Sequence, residues 1–137
     1  MDGGSLHSGG RPAGTAILFL ITDNDFSVLH KLKIDEMWNF HAGDPAELAT
    51  IDPSTGALHV HILGSDLLSG NAPQVVVRAG QWQGARLRPG ANKGHGWALF
   101  GCTMVPGWQD DECELGDRET LTRDFPAHCD WINALTR

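Results

Sequence analysis

Three features of the sequence predict an all-β fold that encloses a pocket. Apolar residues fall in short runs of strand length, the longest unbroken one being 16–21, and none has the length needed to span a bilayer. Between the runs lie 17 glycines and 7 prolines, dispersed rather than tandem, which suits many short strands joined by tight turns. The third feature is the segment from His30 to Gly43, HKLKIDEMWNFHAG, where an imidazole, a carboxylate and aromatic rings recur at strand spacing. Burying a histidine and a glutamate on such a face is costly without partners, so the segment reads as the wall of a pocket rather than plain core.

The elements follow in order. Residues 1–14, rich in Gly and Ser, read as a flexible segment ahead of a single domain over 15–137. Ala16 to Ile21 is a buried strand, and Thr22-Asp23-Asn24-Asp25 supplies turn chemistry. Phe26 to Leu32 starts the next strand and carries His30; Glu36, Trp38 and Phe40 then share one face until Asp44-Pro45 stops the run. Glu47 to Ile51 is a strand, closed by a hairpin loop at Asp52-Pro53-Ser54-Thr55-Gly56. Ala57 to Leu63 alternates, with His59 and His61 on one face and Leu58, Val60 and Ile62 on the other, as a half-buried strand does. Gly64 to Ala72 is a loop and Gln74 to Val77 an apolar strand ending at Ala79-Gly80. In Trp82 to Leu87 the residues Trp82, Gly84 and Arg86 share one face, and Gln83, Ala85 and Leu87 the other. After a Gly/Pro/Asn loop over 88–96, Trp97 to Val105 is the last strong strand, stopped by Pro106-Gly107. From Trp108 to Asp130 eight acids face only Arg118 and Arg123, and two short helices are expected outside the barrel, near Arg118 to Asp124 and Ala127 to Leu135.

Composition narrows the partners. A chain of 137 residues is long enough for one core, and its net charge of −7 with no cluster of Lys and Arg argues against nucleic acid or an anionic membrane. The start of the chain has neither a basic nor an apolar segment, so no signal peptide is expected. Cys102, Cys113 and Cys129 show no metal-type pairing, which fits free thiols in a reducing, cytoplasmic setting. The absence of tyrosine removes any mechanism that needs a phenol as general acid.

The residues resemble a family. The spacing of His30, Leu32, Glu36 and Gly43 is similar to the first cupin motif, G-x5-H-x-H-x3,4-E-x6-G, with Leu32 where the second histidine stands. The text from Thr15 through Asp44-Pro45 looks like the small cupin-five branch, long described as a domain of unknown function. Further blocks match in order: Leu63-Gly64; Pro73 to Val77 with Ala79-Gly80 and Trp82-Gln83; Gly101-Cys102-Thr103 with Pro106-Gly107-Trp108. The resemblance covers residues 11–115 and implies an RmlC-like cupin jelly roll, a double-stranded β-helix of two sheets around one pocket, with the C-terminal helices as an appendage. It also implies a homodimer. Asp2-Gly3-Gly4 stands where relatives carry Glu-Gly-Gly, so the first strand is expected to be short or borrowed from a partner subunit.

Metal-binding cupins take their ligands from two histidines and the glutamate of the first motif and a histidine of the second. Here Leu32 replaces one histidine and Gln83 stands at the second-motif position, leaving two donors where a tight site needs three or four. No cofactor is therefore expected. His30 and Glu36 are instead expected to form a hydrogen-bonded pair in which the carboxylate orients the imidazole for general-base work; the plain alternative is a buried pair that only satisfies itself. Trp38 and Phe40 are expected to stack on a ligand, although aromatic strand residues are more often core. Gln74 and Gln83 are expected to offer amides to it, since an inward amide must find a partner. Cys102 is expected to point inward, where a thiol is usually inert filler. His59 and His61, an H-x-H pair without a third ligand, read as solvated or as part of a subunit contact.

These residues fit a metal-independent cupin enzyme acting on a small polar or sugar-like metabolite by general acid/base chemistry, of the isomerase or epimerase, dehydratase or cyclase type. Cupin sugar epimerases use a tyrosine acid, so here Cys102, a bound water or the substrate has to return the proton. A non-catalytic small-ligand-binding cupin and a divergent metal-dependent cupin are the alternatives.

Overall fold

The structure, a computed structural model, describes residues 10–90 and 94–137. The chain forms β1 (Thr15–Thr22), β2 (Ser27–Leu32), β3 (Glu36–Gly43), β4 (Ala46–Ile51), β5 (Leu58–Leu63), β6 (Gln74–Val77), β7 (Trp82–Leu87), β8 (Trp97–Met104), β9 (Cys113–Leu115), α1 (Arg118–Asp124) and α2 (Cys129–Ala134). Two antiparallel sheets, ordered β1-β8-β3-β6 and β5-β4-β7-β2-β9, build the expected all-β double-stranded β-helix. Of the N-terminal segment, residues 1–9, with Asp2-Gly3-Gly4, lie outside the described residues, as do 91–93 of the loop over 88–96. Residues 10–14 are irregular backbone tied to the far end of the chain, with Arg11 Nε donating to Gly107 O at 2.9 Å and Gly107 N donating to Pro12 O at 2.9 Å.

The five-stranded sheet is covered on both sides because its strands are apolar on both faces. Its inner face sends Ala46, Leu48, Leu63 and Ala85 against Ile21, Trp38, Val75, Val77, Ala98 and Phe100 of the other sheet. Its outer face sends Leu29, Ala49, Ile51 and Trp82 against Leu121, Ile132 and Leu135 of the C-terminal helices. These helices pack outside the barrel, as expected, and form a third layer. Asp117 caps α1 by accepting from Thr120 N at 2.8 Å, and Leu29 N donates to Leu135 O at 2.8 Å, which fixes the C-terminus to β2. Gly84 makes room for this layer: a Cβ there would stand 3.2 Å from Leu135 Cδ1 and 3.0 Å from Ser27 O.

Three expectations are corrected. His30 and Glu36 do not share one strand; the turn at 33–35 separates β2 from β3, and the two strands belong to different sheets that face each other across the barrel. In β5 the apolar set Val60 and Ile62 is not the barrel face. His61 pairs with Leu48 and Leu63 with Ala46, so this side of the strand faces the barrel, yet His59 is exposed and His61 only half-buried, as is Ile62, while Val60 on the other side of this edge strand is 39% exposed. The acidic stretch after Trp108 also contributes β9, three residues that pair with β2, which is too short for periodicity to reveal.

Gly43 ends β3 for a steric reason. Its φ is +95°, and a Cβ there would collide with the Trp97 carbonyl. Asp44 follows at once: its backbone N donates to Trp97 O at 2.8 Å, and its carboxylate accepts from His95 N at 2.8 Å and Gly96 N at 2.7 Å. The hydrogen bond from His95 N, then that from Gly96 N, holds the Asp44 carboxyl below the ordinary carboxylate range.

Candidate functional site

Inward alternation on four strands builds a cavity of about 170 Å³ between the sheets. Register explains who lines it. Trp38 pairs with Cys102 and Glu36 with Met104 and Val77, so Glu36, Trp38 and Cys102 share the inner face of one sheet. His30 pairs with Gln83, which pairs with Thr50, on the inner face of the other. Ile17 and Phe19 close the β1 side, Ser27 stands beside His30, and Trp108 reaches over the mouth from the loop after β8. Larger depressions, about 460 Å³ beside Lys31 and Lys33 and about 400 Å³ beside Asp44 and Arg88, are lined mainly by turn and loop residues rather than by inward strand faces.

The His30–Glu36 pair differs from the expected dyad. His30 Nε2 and Glu36 Oε2 are 3.8 Å apart, beyond hydrogen-bond reach. The imidazole is oriented instead by the main chain: its Nδ1 lies 2.7 Å from Val28 O, and because a carbonyl only accepts, Nδ1 carries the hydrogen. Nε2 is thus turned to the cavity, with a lone pair whenever the ring is neutral. Glu36 is 7% exposed, and its Oε2 is the one buried side-chain polar atom without a hydrogen-bond partner among the described residues. An orphaned buried carboxylate oxygen is costly, and such groups persist where they serve a purpose.

The remaining expected residues divide. Trp38, 2% exposed, lines the cavity, and its Nε1 donates to Gln83 Oε1 at 2.8 Å. Gln83, 1% exposed, therefore holds the indole rather than offering its carbonyl to a ligand. Phe40 packs edge-on against Phe100, 6.0 Å between centroids, and belongs to the core rather than to the cavity wall. Gln74 is corrected outright: it pairs with Asn39 on the outer face and is exposed. The parity of β6 is set by Val75 and Val77, which occupy the inward positions. Cys102 does point inward, but burial and, second, the charge of Glu36 push its thiol up to about 12, so it is a poor proton donor or nucleophile. Trp82 faces the outer layer, with Lys31 Nζ 4.6 Å over its ring. Ile17, Phe19, Ser27 and Trp108 were not anticipated. Alternation along β1 from Ile21 would have found Ile17 and Phe19, whereas Trp108 sits in a loop whose path the sequence does not show.

The residues do not suit the divalent ion of metal-binding cupins. Leu32 has no donor atom, Gln83 Oε1 is occupied by Trp38, and among the described residues no three His, Cys, Asp or Glu side chains are grouped to hold an ion. No helix among them is long and apolar enough to cross a membrane.

Known proteins place this barrel. A crystallographic protein from Shewanella oneidensis is 34% identical, with a TM-score of 0.86 over 94% of this chain and 78% of its own. A hypothetical protein from Leishmania major is 29% identical, with a TM-score of 0.86 over 92% and 77%. A dTDP sugar isomerase from Desulfovibrio desulfuricans shares the fold, with a TM-score of 0.63 at 13% identity over 82% and 70%. No curated protein matches the chain. The sequence pattern described as Cupin superfamily (DUF985) matches residues 2–116, most of the chain, and the protein belongs to this cupin-five family.

Proposed function

We propose that the chain is a metal-independent cupin enzyme that acts on a small polar metabolite by proton transfer, with His30 Nε2 as general base. The carrying observation is the buried, unpartnered Glu36 Oε2 facing His30 Nε2 at 3.8 Å across a cavity. The gap is too long for a hydrogen bond between them and leaves both atoms an acceptor site for a third group. The reaction class is abstraction of a proton next to a carbonyl or comparable activating group, as in isomerisation, epimerisation, dehydration or cyclisation. Glu36 positions the substrate through its unpartnered carboxylate oxygen. Trp38, held by Gln83, forms the wall. With no tyrosine in the chain and the Cys102 thiol pushed up to about 12, the proton returns from the same imidazole or from water.

A non-catalytic ligand-binding role is the second reading, favoured by that same lack of a separate acid. Pools of small metabolites incubated with the protein in deuterated water separate the two. Under the enzymatic reading one metabolite gains deuterium with the native chain and not with His30→Gln. Ligand retention without isotope uptake supports the binding role, and uptake that survives His30→Gln removes His30 from the mechanism.

The homodimer belongs to the same proposal. β1 is a sheet edge, and Leu18 and Leu20 on its outer side are 72% and 56% exposed, with Trp97 of β8 beside them at 36%. An open edge with an apolar face is a pairing surface that a second copy covers by two-fold symmetry. Light scattering of Leu18→Lys with Leu20→Lys should report half the native mass; equal masses would remove this face from the interface.

A further inference from the structure

The cavity has a charge character that narrows its ligand further, and this step rests on the reading of the cavity as a ligand site. One end carries two acceptors, Glu36 Oε2 and His30 Nε2, both without a hydrogen bond between them. The Glu36 side chain is 9% exposed, and its negative charge is felt by Cys102 nearby. Among the residues lining the cavity there is no Lys or Arg to balance it. The rest of the wall is mostly apolar and aromatic, from Ile17, Phe19, Trp38, Cys102 and Trp108, with Ser27 adding one polar side chain. Such a chamber repels phosphate and carboxylate groups. It suits a donor-rich, positively charged head on a compact apolar body, because a buried carboxylate demands a charge-assisted donor and aromatic faces attract cations.

We infer that the ligand is a small organic amine, bound with its protonated nitrogen on Glu36 Oε2, beside His30 Nε2, and its hydrocarbon part against Trp38 and Phe19. An ammonium offers three donors and supplies the one that Glu36 Oε2 lacks, while the His30 Nε2 lone pair stays open to the rest of the ligand. A protonated His30 forms an ion pair with Glu36 at this distance but no hydrogen bond, so the carboxylate oxygen still lacks a donor. The volume of about 170 Å³ sets the size. An apolar cavity of about 150 Å³ holds one benzene ring, so there is room for roughly six to ten non-hydrogen atoms and none for a nucleotide sugar lying wholly inside.

The test compares three probes of one shape and three charges: benzylamine, benzyl alcohol and benzoate, titrated into the full chain at about 150 mM salt to screen the acidic surface. Binding is read at the Trp38 indole N–H and His30 ring resonances, which report the cavity and not the exterior. Benzylamine is expected to bind about tenfold to a hundredfold more tightly than benzyl alcohol, with benzoate weakest. Glu36→Gln is expected to erase the difference between benzylamine and benzyl alcohol. Should that variant fail to fold, the ranking of the probes on the native chain decides alone. Equal or tighter binding of the alcohol or of benzoate overturns the amine assignment while leaving the ligand site standing. Silence of both resonances with all three probes overturns the assignment and the ligand-site reading together.

Discussion

Trp38→Phe tests how the cavity wall is held. The substitution keeps a ring between Phe19 and Phe100, whose centroids lie 5.8 and 5.6 Å from that of Trp38, but removes the N–H that Gln83 Oε1 accepts. Gln83 is 1% exposed, so water does not replace the lost donor. Orphaning a buried carbonyl costs about 1–3 kcal/mol, and the smaller ring adds about 1 kcal/mol of lost packing. For a chain of 137 residues the entropy of unfolding is about 0.3 kcal/mol/K, so a loss of about 2–4 kcal/mol lowers the melting temperature by roughly 7–13 °C. Gln83→Leu removes the other partner, and in the double variant no acceptor is left unpaired. The double-mutant cycle, followed by urea unfolding, should therefore return a coupling of about 1–2 kcal/mol. A coupling below about 0.3 kcal/mol would refute the reasoning: the Gln83 amide would then be free to turn toward a ligand or an ion.

Three further outcomes are expected. Asp44→Asn should lower stability by an amount that depends on pH. Because the folded carboxyl lies below its ordinary range, its contribution is complete above the unfolded value, near about pH 4, and fades as pH falls through the folded one. Melting curves of the two proteins should converge in acid, and a gap unchanged at the lowest pH would contradict the His95 and Gly96 hydrogen bonds. Leu135→Ala, at a fully buried site against the outer sheet face, should cost about 2–5 kcal/mol by thermal or urea unfolding yet leave benzylamine affinity within about twofold. Little loss of stability would deny the helices their role as a third layer. Cys102, 4% exposed with a thiol pushed up to about 12, should resist iodoacetamide at pH 8 in the native chain and react once denatured. Rapid native labelling, located by peptide mass, would show an accessible thiolate there.

Much of the barrel was legible because each strand carries its own period and punctuation. Trp82 to Leu87 shows this best: its two faces read directly as the outer set packed by the helices and the inner set with Gln83 and Ala85. The reading failed where position in the sheet outranks pattern. In β5, an edge strand, Val60 and Ile62 fall on the outer side and His61 on the barrel side, with His59 exposed, because pairing with β4 fixes parity whatever the residues prefer. Gln74 failed for the same cause, since Val75 and Val77 claim the inward positions of a four-residue strand. The site was legible at His30, Glu36, Trp38 and Cys102, which alternation sends inward. What supports them was not: Val28 O, which sets the imidazole, is a backbone atom with no signature in the side-chain sequence.

The two departures from the metal-binding pattern act together. A histidine at position 83 would face His30 directly in the β2–β7 register and, with Glu36, complete three donors. Gln83 instead turns its carbonyl to Trp38 and anchors the indole as cavity wall, so one substitution removes a donor and creates an aromatic surface. Leu32, 2% exposed, stands at the motif position of another donor and has none to offer. Glu36 keeps a buried oxygen without a hydrogen-bond partner, the one such atom among the described residues. A ligand that enters must bring a positively charged donor to the carboxylate, and the largely apolar wall favours an organic carrier of that charge.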